Sequence, residues 1–170
     1  MIIDLILFIV LIICLYTDLT ARKIYNFILL PAFLFAFIFH LAAGGLSQGL
    51  WSLQGLALGI ALLFIPFLTG GIGAGDVKLL GTIGALMGPD FVLTAFLAGA
   101  IAGGVIASGQ LIRHKKLSST LKKIGVNLYF TVIGAPRSKG PFTIENAAKE
   151  DVIPYGAAIV IGTAAAYVVR

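Results

Sequence analysis

Residues 70–88 read GGIGAGDVKLLGTIGALMG. The stretch sets Asp76 behind Gly71, Gly73 and Gly75, and Lys78 two positions later, inside a nearly continuous apolar tract: residues 62–68 precede it and 77–87 follow. Each glycine costs a helix about 1 kcal/mol relative to alanine. GIGAGD is therefore expected to be a tight non-helical lead-in, with Asp76 capping the helix that follows. That helix, over 77–87, is short. At about 1.5 Å per residue its apolar part covers only about half of a bilayer's hydrocarbon core.

The rest of the chain explains why such a stretch is tolerated. Of 170 residues, 59% are hydrophobic and 11% charged, against about 25% charged in soluble domains. A membrane protein is implied. A spanning helix needs about 17–25 apolar residues, and the apolar runs fall at 2–17, 27–43, 50–69, 77–87, 91–112 and 152–169. The expected fold is all-α: one polytopic integral membrane domain over 1–170, with about six transmembrane helices and a short fourth helix after the Gly-rich turn. The opening MIIDLILFIV has no basic residue ahead of its apolar run and no small-residue cleavage pattern, so it reads as a retained first span. Cys14, the one cysteine, lies in that run and is expected to pack rather than to ligate or cross-link.

Charge sets the orientation. With six crossings, the connections 18–26, 70–76 and 113–151 share a side. Counting Lys78 with them, that side holds every lysine and arginine except Arg170. The positive-inside rule makes it cytoplasmic and puts both termini outside, as expected of a multi-pass protein of the cytoplasmic (inner) membrane. A re-entrant fourth segment would instead put the basic 113–151 loop across the membrane from Arg22 and Lys23. Within that loop Leu117, Leu121, Ile124 and Leu128 recur at helical spacing opposite Lys122 and Lys123, the pattern of an amphipathic helix on the inner leaflet. Small residues at four-residue spacing (Ala95, Gly99, Gly103, Ala107; Gly81, Ala85; Gly84, Gly88) mark faces where helices approach closely. Pro66 is placed to bend the third span. Trp51 at the outer boundary, and Tyr16, Tyr25 and Tyr155 at the inner one, suit an interfacial belt.

The topology also sorts the acids. Asp4 and Asp90 fall outside, Glu145 and Glu150 in the loop, and Asp151 just before the last span. Asp18 leaves the first span and Asp76 enters the fourth, so these two share a depth on different helices. Two nearby carboxylates do not both ionise cheaply, so one holds a proton near neutral pH. The ionised one can then take a proton from water while the other polarises a peptide carbonyl, which is aspartic-protease chemistry and needs no metal or cofactor. Gly73 and Gly75, lacking side chains, would let a substrate strand come close. Lys78 would either stabilise a carboxylate or snorkel to the interface. Each acid also has a plainer reading: Asp76 as a helix N-cap, Asp18 as a solvated helix end paired with Arg22. An anion site on the glycines is disfavoured by the aspartate itself. His40 and His114 lie on opposite sides, no metal site is expected, and neither HExxH nor GxSG occurs.

Three quoted stretches carry a resemblance. GAGDVKLLGTIGALMG resembles the second active-site motif of the type IV prepilin peptidases, GxGD followed by Val-Lys-Leu. DLTARKIYN resembles their first: Asp18, Arg22, Ile24 and Asn26 match, with Tyr25 where proline is usual. IPYGAAIVIG, at 153–162, resembles their last-helix signature. The resemblance implies a membrane aspartic endopeptidase that removes basic leader peptides from pilin-like, pseudopilin or archaellin precursors at the cytoplasmic face. Asp18 and Asp76 would be its catalytic pair, and Gly73, Gly75, Lys78, Arg22 and Asn26 would support the site or bind substrate. Larger relatives also N-methylate the new N-terminus through a region often bearing Cys-x-x-Cys. This chain has no such pair, so peptidase activity without methyl transfer is expected, as in the compact enzymes of tight-adherence pili and the archaeal preflagellin peptidases. The expected partners are the precursor and membrane lipid, with no nucleic acid. Two other classes fit parts of the pattern: a presenilin-like GxGD protease cutting within transmembrane helices, and a proton or ion transporter using the membrane carboxylates.

Overall fold

The computed structural model describes residues 2–68, 71–113 and 155–169, with the side chains of 110–113 excepted. They form five helices: α1 (Ile2–Ala21), α2 (Asn26–Leu68), α3 (Ala74–Met87), α4 (Pro89–Arg113) and α5 (Tyr155–Val169). Met1–Gly103 with Pro154–Arg170 make one compact unit and Gly104–Ile153 another; the site lies in the first. The expected amphipathic helix of the basic 113–151 loop, and the start of the last span at 152–154, lie outside the described residues.

Among the described residues, three helices are long and apolar enough to cross a membrane: Ile2–Ala21, Asn26–Leu68 and Pro89–Gly109. α2 has 43 residues but is not one rod. Gly44 (φ −139°, ψ 18°) and Gly45 (φ 67°, ψ −158°) leave helical geometry, and the positive φ at 45 suits glycine alone. His40 and Trp51 meet edge-on with ring centroids 5.2 Å apart. Eleven residues of straight helix would separate them by about 16 Å, so the chain doubles back. The two arms, 26–43 and 46–68, lie side by side. The second arm begins earlier than the expected 50, and Trp51 packs on His40 inside the turn rather than simply marking a boundary.

α3 is the hub. Its 14 residues extend about 21 Å, and every residue from Leu79 to Met87 is buried. Lipid is as apolar as leucine, so this burial does not rest on a hydrophobic drive between helices. Close packing and buried hydrogen bonds hold such helices together. Gly55 and Gly84 supply the first: a Cβ on either would run into the other's backbone carbonyl. Ser52 and His40 supply the second. Ser52 Oγ donates to Ala85 O at 2.8 Å, and His40 Nε2 to Leu86 O at 3.1 Å. These carbonyls are in the last turn of α3, where a helix has no partners of its own. A carbonyl only accepts, which fixes the His40 proton on Nε2.

α1 is apolar all round, and its buried stripe shows only in the packed molecule. Leu7, Leu11, Cys14 and Asp18 are buried at three- and four-residue spacing, while Leu5, Ile12, Tyr16 and Leu19 are exposed, the outward face a membrane helix needs. Cys14 is a packing residue in that stripe, and the stripe ends on Asp18.

Candidate active site

The stripe on α1 brings Asp18 into its last turn, and the helix ends just beyond. Arg22 takes a left-handed φ of 50° and its N–H still bonds Asp18 O at 2.9 Å. A non-glycine residue adopts that conformation at some cost. Here it turns the chain sharply into residues 23–25. Asp18 is only 8% exposed. The Arg22 charge and the backbone amides of Gly156 and Ala157, at the start of α5, act on its carboxyl group. Its Oδ2 is nevertheless buried without a well-formed hydrogen bond among the described residues.

Asp76 differs from the sequence expectation by most of a turn. The helix starts at Ala74, with Gly73 as N-cap in extended backbone (φ −77°, ψ 150°). Asp76 is therefore the third helical residue, not the cap. Its Oδ2 accepts the Gly73 N–H at 3.2 Å, the reaching-back half of a capping box. That bond satisfies an amide at the helix start and lets Ala74 and Gly75 be helical, where the glycine cost alone predicted a loop. Asp76 is 9% exposed.

Asp18 and Asp76 line one cavity of about 350 Å³ with Arg22, Lys23, Ile24, Tyr25, Asn26, Gly73 and Gly75. They are near enough for the charge on one to act on the other. The sequence-predicted residues other than Lys78 are thus gathered here, though not all in the roles expected. Gly75 is not open to an incoming strand: a Cβ there would sit 2.9 Å from Ile24 Cβ, so its missing side chain makes room for the chain's own 22–25 segment. The side-chain space at Gly73 faces Asp76 Oδ2 at 3.2 Å. Among the described residues, Lys78 neither pairs with a carboxylate nor lines the cavity. Its Nζ donates to Asn26 Oδ1 at 3.0 Å, tying the start of α2 to α3.

Sequence reasoning missed three participants. Ile24 fills the notch at Gly75. Tyr155, taken for a belt residue, is partly buried against the core and feels the charge of Asp76. A Cβ on Gly156 would lie 2.5 Å from Asp18 Oδ2. The signal for the last two was available: the expected topology already put the start of the last span at the depth of both acids. Among the described residues, no three His, Cys, Asp or Glu side chains gather as a metal site requires.

Two buried carboxyl groups on different helices, facing one open cavity, can divide the roles of base and acid. Residues 5–108 match the family model described as the Type IV leader peptidase family. The match includes both acids and stops short of α5. No curated protein and no solved structure matches the chain.

Proposed function

The chain belongs to the type IV leader peptidase family, whose members are aspartic prepilin leader peptidases, and from that premise we propose that Asp18 and Asp76 are its catalytic pair. The observation that carries the assignment is their shared cavity: two buried acids, one from α1 and one from α3. In the reaction the ionised carboxyl takes a proton from water. The water oxygen attacks the scissile carbonyl, and the protonated carboxyl donates to the carbonyl oxygen. Collapse of the tetrahedral species breaks the C–N bond as a proton passes to the leaving amine.

The substrates are pilin-like, pseudopilin or archaellin precursors, cut beside a basic leader at the cytoplasmic face. The apolar helix of the precursor lies laterally among the spans while the cleavage segment unwinds at the cavity. The doubling back of α2 supports counting it as two crossings, which with α1, α3, α4 and α5 gives six. The lysines and arginines then gather on the side of Asp18 and Asp76, with both termini outside. The product N-terminus is unmethylated.

Purified enzyme incubated with candidate precursors, with both fragments weighed by mass spectrometry, tests this reading. Asp18→Asn and Asp76→Asn, present at wild-type level, each lose about 10²–10⁴-fold or more in processing rate, whereas Asp90→Asn, exposed on α4, is nearly silent. Full processing by either active-site variant removes that residue from the mechanism. A cut deep within an apolar segment would favour the presenilin-like alternative.

A further inference from the structure

The first turn of α5 is unassigned by the family match, which ends at residue 108, yet it closes on Asp18. A Cβ built on Gly156 meets three atoms of that side chain: Oδ2 at 2.5 Å, Cγ at 3.0 Å and Cβ at 3.3 Å. Gly156 is buried, and Oδ2 is buried with it. The neighbouring residue on α5, Tyr155, is partly buried in the same core, and its ring edge lies 3.5 Å from the side-chain space of Gly103 on α4. Further along, α5 packs closely on α4: a Cβ on Gly99 would lie 3.2 Å from Ala158 O, and one on Gly162 would run into the backbone of Ala95 and Gly99.

We propose that the first turn of α5 is the third wall of the active site and that Gly156 is its positioning residue, seating the Asp18 carboxyl group directly against the α5 backbone. Asp18 sits in the last turn of its helix, next to a sharp bend, and has rotamers that point elsewhere. The α5 backbone restricts them. A glycine is required because the carboxyl group occupies the volume that any Cβ would take. The amides of Gly156 and Ala157, among the first of α5, have no partners within their own helix and so face the carboxyl group with unspent donors. The backbone of α5 thereby holds one acid in a position from which it can share a substrate with the other, on α3. Gly156 acts through Asp18 and does not itself touch the scissile bond.

The inference rests on Asp18 being catalytic, so the test includes Asp18→Asn beside Gly156→Ala, with Gly104→Ala, on α4 where a Cβ meets nothing within 4 Å, as a control that leaves the α5 contact untouched. Gly156→Ala is expected to lower kcat by about 10²-fold, the cost of a misplacement near 1 Å, with KM within about twofold of wild type. Gly104→Ala keeps kcat within about twofold. Melting temperatures in detergent complete a double-mutant cycle: Asp18→Ala deletes Oδ2 and Cγ, so Gly156→Ala should cost about 4 °C or more less in that background than in wild type. Wild-type kcat in Gly156→Ala, or strictly additive melting shifts, overturns the proposal. If Asp18→Asn is inactive while Gly156→Ala is fully active, this inference alone fails. If Asp18→Asn processes the precursor, the catalytic assignment fails first and this one with it.

Discussion

Ile24 stands where a side chain on Gly75 would be, and that contact makes the site sensitive at a position without functional groups. A methyl at 75 would lie 2.9 Å from Ile24 Cβ, an atom next to the backbone that cannot swing aside. Gly75→Ala must therefore shift the 22–25 segment, which forms one side of the cavity. Processing is expected to fall about 10²-fold. Lys78→Met gives the contrast. It removes an exposed hydrogen bond to Asn26, worth about 1 kcal/mol, and the loss in rate should stay below about tenfold. Initial rates of precursor cleavage at matched enzyme level distinguish the two. A stronger effect at Lys78 than at Gly75 would mean that the lysine has a direct part in substrate binding. The two acids were legible in the sequence because a carboxylate is costly in an apolar tract. Ile24 was not, since its importance comes from a contact with Gly75, about 50 positions along the chain; for Gly156 the depth was legible but the contact with Asp18 was not.

At the scale of helices, α3 depends on partners that composition alone does not reveal. Its carbonyls at 85 and 86 are satisfied by side chains from the two arms of α2. Removing a partner leaves a buried acceptor unsatisfied, at about 1–3 kcal/mol. Ser52→Ala is expected to lower the melting temperature in detergent by about 2–10 °C, with KM unchanged because the contact is remote from the cavity. An unchanged melting temperature would show that water or lipid satisfies Ala85 O equally well. Gly81 with Ala85, and Gly84 with Gly88, were expected to mark packing faces; in the structure a Cβ on Gly84 would run into Gly55, and one on Gly81 would crowd Leu56 and Ile60. Helix limits were less legible. The glycines at 73 and 75 looked alike by propensity. Only the Asp76 bond to the Gly73 amide separates the cap from the first turn. The break at 44–45 was expected as a loop through 49, because nothing local marks Leu46 as the restart.

Across the whole molecule, membrane class and helical architecture were plain from hydrophobicity, and three described helices have the length and composition to cross a bilayer. Which faces meet was hidden, because helices apolar on every side have no periodicity to read; α1 shows its buried stripe only when packed. The central claim is correspondingly a claim about assembly: α1 and α3 carry their acids to one place. Cysteines at both positions test it without requiring activity. In a Cys14→Ala background, the Asp18→Cys, Asp76→Cys double variant is treated with a short bifunctional thiol reagent in native membranes, beside an Asp18→Cys, Asp90→Cys control. A protease site engineered into the connection between the two positions lets gel mobility after digestion report the link. Efficient intramolecular cross-linking of 18 to 76 is expected, and none of 18 to 90. Failure of 18 and 76 to cross-link, with both thiols shown to react singly, would contradict that juxtaposition of α1 and α3.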